Sequence, residues 1–153
     1  ALPPECLAEI GRVVASFALL EHELDILIHG LLKTDRHISR ILTSELPFRT
    51  LLDVSASLVR HIHGEEATRT FSQVLHSVSA AEEERNRIVH SLWGAMGPDI
   101  AIRTKDSAKR AKGLNSQRQE YSPAELSRVA SNVSRAIFRV ERFRQSLGYD
   151  WVS

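Results

Sequence analysis

Apolar side chains recur along this chain every third or fourth residue over long stretches, the spacing that gathers them on one face of an α-helix. From Pro4 to about Lys33 the series Leu7, Ile10, Val14, Phe17, position 21, Leu24, Ile28, Leu31 steps strictly by three and four. Val13, Leu20 and Leu27 widen that seam on one side. Asp35 can cap a short second helix carrying Ile38, Ile41 and Leu42. Pro47 interrupts, because it has no N–H to donate inside a helix. A further helix to about His63 turns Leu51, Val54, Leu58 and Ile62 inward and ends at Gly64. The third long helix runs from about Glu65 to Trp93 along Phe71, Val74, Val78, Ala81, position 85, Ile88 and Leu92, and Gly94, Gly97 and Pro98 stop it. Ser122-Pro123-Ala124-Glu125 opens a last helix as a capping box with proline in the first turn. Its seam is Leu126, Val129, Val133, Ala136, Val140, Phe143, Leu147.

Between positions 97 and 121 this period fails. Asp99 to Thr104 alternates, with Ile100 and Ile102 on the inner side, so a short strand or hairpin near 99–115 is allowed. The remainder reads as a basic loop. Long helices joined by tight connections predict an all-α fold, an antiparallel bundle of four to five helices forming one domain over 1–153.

Composition narrows the setting. The chain has 153 residues and a formal net charge of +1, so any nucleic-acid site must be local rather than a basic coat. Cys6 is the only cysteine, which excludes an internal disulfide and makes a cytoplasmic setting the simplest expectation. No run of apolar residues is long enough to span a bilayer, and no membrane partner is expected.

Two seam positions hold charge: Glu21 on the first helix and Arg85 on the third. An unpaired buried charge costs several kcal/mol, so each predicts a partner, and the simplest is the other across the core. Such a pair can serve only to fix helix register.

Glu84-Arg85-Asn86-Arg87-Ile88-Val89-His90 follows. At about 100° per residue, Asn86 lies roughly 100° and His90 roughly 140° round the helix from Arg85, and Asn86 and His90 stack one turn apart. A guanidinium suits a phosphate, an amide donates or accepts, and an imidazole moves protons near neutrality. Together they can hold and cleave a phosphodiester.

Arg-Asn-x-x-x-His near the end of a long helix resembles the signature of the HEPN superfamily, with four residues between Arg85 and His90. The resemblance implies a metal-independent endoribonuclease whose two-fold dimer brings two copies of the motif together, acting as a toxin or phage-defence effector, in some cases with an antitoxin protein. It implies acid–base chemistry at the ribose 2′-OH for His90, phosphate binding for Arg85 and positioning for Asn86, with no cofactor. Some members carry a modifiable Tyr two residues after the His; here that position is Leu92. Others have lost activity and only bind nucleotides or partners, and a plain helical dimerisation domain is a further alternative.

RNA phosphates can also meet Arg103, Lys105, Lys109, Arg110 and Lys112 of the basic loop, or the stripe Arg128, Arg135, Arg139, Arg142; the bland reading of both is a solvated surface. His61 and His63, two apart on a helix, point to different faces and make no metal site on their own. Trp93 reads as a packing residue closing the third helix.

Overall fold

A computed structural model of the chain describes residues 1–110 and 112–150, with Lys109 described for its backbone alone. Four helices, α1 (Pro4–Leu32), α2 (Arg36–Thr43), α3 (Phe48–Val89) and α4 (Pro123–Ser146), are joined by a three-stranded sheet, β1 (Leu92–Ala95), β2 (Ala101–Lys109) and β3 (Gly113–Tyr121). The sheet is antiparallel in the order β1-β2-β3. This corrects the all-α expectation: the fold is mostly helical but mixed.

The helices form where the periodicity places them. Ser122 accepts from the Glu125 N–H and the Glu125 carboxylate accepts from the Ser122 N–H, completing the capping box of α4. Asp35 caps α2 through the His37 N–H at 2.8 Å. The two helices expected on either side of Gly64 form one element, α3, bent at that residue, whose φ of 82° and ψ of −165° lie in a region open essentially to glycine.

The main core lies among α1, α3 and α4, from Phe17, Leu20, Leu24, Val59, Phe71, Val78, Val133, Val140 and Phe143. Phe71 stacks on Phe143 at 4.7 Å between centroids. A second cluster at the other end, with Cys6, Val13, Ile88, Ala101, Tyr121, Leu126 and Ala130, seats the base of the sheet. Burial is the largest influence on the Cys6 thiol, whose pKa is raised.

Seam positions shift by one in α1. Cys6, Val13 and Leu20 are fully buried, whereas Leu7 and Val14 are 57% and 47% exposed. The buried line therefore runs through 13, 17, 20 and 24, and Glu21 falls on its edge. The same shift affects the first half of α3, where Leu51, Leu52, Ser55 and Val59 are buried and Ile62 is exposed.

α2 is inverted relative to expectation. Ser39 and Thr43 are buried, whereas Ile38, Ile41 and Leu42 face solvent. Polar bonds explain it: Arg36 donates to Asp25 at 2.5 Å, Thr43 donates to Asp25 at 2.6 Å, and the Ser39 hydroxyl meets His29 Nδ1 at 3.1 Å. Burial raises the Asp25 pKa, but the hydrogen bonds from Arg36 and Thr43 and the charges of Arg36 and Arg40 outweigh it, and the group titrates below 3.8.

Two measurements test this packing. Leu20→Ala should cost about 2–5 kcal/mol in urea denaturation, and Glu21→Gln less than about 0.5 kcal/mol; equal losses would place Glu21 in the core. The folded-state pKa of Asp25 is depressed, so its stabilisation is complete above about pH 4 and is lost as pH falls through the folded value. Asp25→Asn should therefore flatten the acid limb of the stability–pH curve below pH 3.8.

Candidate active site

The end of α3 carries the motif. Ile88 is buried against Val13 and Leu126 in the second cluster, and this anchors the last turn of the helix. Arg85 is half-buried, with Cζ 4.5 Å above the centre of the Phe17 ring. Its Nη1 donates to Asn86 Oδ1 at 2.8 Å, and its buried Nε has no hydrogen-bond partner. Among the described residues no ion pair joins Arg85 to Glu21, which corrects the expected core salt bridge. Glu21 instead lines a cleft between α1 and α2 with Asp25, Arg40 and Thr43. The reason is the displaced seam of α1: Leu20 takes the core position, and an aromatic face one turn earlier receives the guanidinium.

His90 is the C-cap of α3, with φ −99° and ψ 34°, and its N–H still bonds to the Asn86 carbonyl at 3.1 Å. Its ring is exposed and makes no hydrogen bond among the described residues. Arg85 and Asn86 are therefore joined directly, and His90 stands one turn beyond Asn86.

The expected RNA contacts divide. Arg103 is 3% exposed, which corrects its assignment to the surface. It is held with Ala101 on the inner face of β2, in place of Ile100 and Ile102. Nη1 of Arg103 donates to Ser91 Oγ at 3.1 Å and Nη2 to Gln119 Oε1 at 3.3 Å. Ser91 Oγ donates in turn to the Arg87 carbonyl at 2.5 Å. No carboxylate pairs with Arg103 among the described residues; its two bonds are to neutral side-chain oxygens, and its buried Nε has no hydrogen-bond partner. Lys105, Arg110 and Lys112 do lie along a ribbon formed by β2 and β3 and the turn between them. Lys105 is half-buried and the other two are exposed. The side chain of Lys109 lies outside the described residues. The ribbon closes at Gly113, whose φ of 70° takes the left-handed region that glycine favours.

Trp93 is in β1, not α3; its indole N–H donates to the Ile88 carbonyl at 2.8 Å and its ring leans on Tyr121 at 5.4 Å. His63 meets the Tyr149 hydroxyl at 2.6 Å. Among the described residues no three His, Cys, Asp or Glu side chains gather as metal ligands would.

Phe17, Ser91 and Gln119 were not singled out by sequence reasoning. Phe17 reads as ordinary core, and nothing in the sequence shows that a cation rests on it. Ser91 and Gln119 matter only once β2 and β3 pair.

No protein-family model, curated protein or solved structure matches the chain.

Arg103→Met should destabilise the fold by roughly 2–4 kcal/mol, since it strands Ser91 and Gln119 and frees the last turn of α3. Thermal denaturation checks this; an unchanged melting temperature would mean that the guanidinium carries no part of the sheet–helix junction.

Proposed function

We propose that the chain is a metal-independent endoribonuclease of HEPN type that acts as a two-fold dimer, as a toxin or phage-defence effector. The observation that carries the reading is a guanidinium that, among the described residues, pairs with no carboxylate and is fixed by a neighbouring amide one turn from an exposed imidazole. A structural arginine in an apolar seam usually has an acidic partner. Arg85 has a ring face and an amide oxygen instead, and its positive charge stays available to an anion.

The chemistry required is attack by a ribose 2′-OH on the adjacent phosphate, with the 5′-oxygen of the next nucleotide leaving. One group takes the 2′-OH proton, another protonates the leaving oxygen, and a cation stabilises charge gathering on the phosphate. Arg85 fills the last role and Asn86 holds it in place. His90 supplies one proton-transfer group, and the His90 of a second copy supplies the other. Leu7, Val14, Val89 and Leu92 are exposed beside the cluster that seats the motif, and supply apolar surface for such a pairing. An antitoxin protein would be the natural partner of the same surface.

RNA incubated with the protein in EDTA should be cut to 2′,3′-cyclic phosphate and 5′-hydroxyl ends. His90→Ala should abolish cleavage with little change in melting temperature, because its ring is exposed. Asn86→Ala should lower the rate less, because Arg85 keeps its contact with Phe17. Activity that survives His90→Ala and disappears in EDTA would defeat the assignment. RNA bound and left intact by wild type would favour a non-catalytic binding module. Sedimentation should show a dimer at micromolar concentration.

A further inference from the structure

A second feature runs the length of the α3–α4 face. Thr70, Gln73, Ser77, Ala80, Glu84 and Arg87 step by three and four along α3, and Arg128, Asn132, Arg135, Arg139 and Arg142 do so along α4. Three clefts of about 150, 240 and 570 Å³ lie between the stripes. The first two share Glu84, and the last two share Arg139, so they form one furrow. It starts at Gln119 and Tyr121 at the base of the ribbon and ends at Phe138 and Phe143.

Five guanidinium groups line this furrow against the carboxylates of Glu84 and Glu125, although the whole chain carries a formal net charge of only +1. Arg144, on the core side of α4, is buried and pairs with Glu23, whereas Arg128, Arg135, Arg139 and Arg142 are exposed and form no ion pair among the described residues. The contacts they make are with neutral groups: Arg135 donates to Asn132 at 2.6 Å, Arg139 crosses the furrow to the Ser77 hydroxyl, and Arg142 lies 5.6 Å from the centre of the Phe138 ring. Phosphate oxygens in their place would add opposite charge and two-pronged N–H···O geometry that these neutral partners lack. Phe138 is 56% exposed on a helix whose other large apolar residues face the core, and it stands between Arg135 and Arg142.

We infer that this furrow binds single-stranded RNA, its phosphates along the α4 arginines and a base on Phe138. The inference rests on the RNA-directed reading above and names where the strand runs beyond the cut. The occupant is a single strand because only unpaired bases are free to stack on an exposed ring such as Phe138; in a duplex they are stacked and paired. From Arg128 to Arg142 the furrow extends about 21 Å, enough for several nucleotides. Arg87, on the furrow wall, is three residues before His90 and next to it on the helix surface, so a strand leaving the furrow there meets the His90 edge of the motif first.

A non-cleavable 2′-O-methyl oligouridylate carrying a fluorophore tests this by anisotropy, with melting curves confirming that each variant folds. Arg135→Gln with Arg142→Gln should weaken binding at least about tenfold and make the log affinity–log salt slope shallower by roughly 1.4, two phosphate contacts' worth. Phe138→Ala should weaken it about tenfold with the slope unchanged, the mark of lost stacking. Wild type that does not bind the oligonucleotide, or folded variants that bind as wild type does, would overturn the furrow. So would a loss confined to duplex DNA. Cleavage of ordinary RNA is scored separately. Binding that depends on the furrow without any cleavage retains the furrow and rejects the nuclease. Cleavage with furrow-independent binding does the reverse.

Discussion

An arginine set into an apolar seam is the constraint on which this end of the molecule depends. Arg85 occupies a position where its neighbours along α3, Ala81 and Ile88, are buried, and its guanidinium rests on Phe17 of α1. A cation over a ring in a partly dry site contributes about 0.5–2 kcal/mol, less than removing a full charge from water costs. The balance is met by partial exposure and by the Asn86 amide. The side chain is thus held firmly without being neutralised, a state that suits anion binding better than a closed ion pair would.

Arg103, unlike the half-buried Arg85, is buried and is held differently. Its two nitrogens reach the turn after α3 and the neighbouring strand β3, so it links the helix end to the sheet. The sheet is thereby part of the site's support even though its strands carry none of the motif. Arg85 meets a ring and an amide oxygen, Arg103 a hydroxyl and an amide oxygen, and among the described residues neither pairs with a carboxylate.

Helices were legible because burying one face imposes a period. The seam of α4 and that of the second half of α3 as far as Ile88 match their buried residues, whereas Leu92, expected to continue the latter, is exposed in β1; Ser122 and Asp35 cap as their side-chain chemistry dictates. In α1 two adjacent apolar lines compete, and the sequence alone cannot choose between Val13–Leu20 and Val14–Glu21; the choice is made by what packs opposite. That one-residue shift removed the expected Glu21–Arg85 pair while leaving Arg85 in the seam. The outer part of β2 and β3 was illegible for the opposite reason. From Asp106 to Glu120 most side chains face solvent, so no alternation is needed and backbone pairing alone makes the ribbon. α2 misled because its polar bonds to Asp25 and His29 outcompete burial of three aliphatic side chains.

The bend in α3 has its own implication. A methyl group added at Gly64 would meet no atom within 4 Å, so crowding plays no part in keeping that position free of a side chain. Only the backbone torsions exclude other residues there. Glycine makes the bend accessible without fixing its angle, because its torsions are the least restricted of any residue. The direction in which the second half carries Arg85 and His90 is therefore selected by the packing on either side, and any side chain at 64 would narrow that choice through strain.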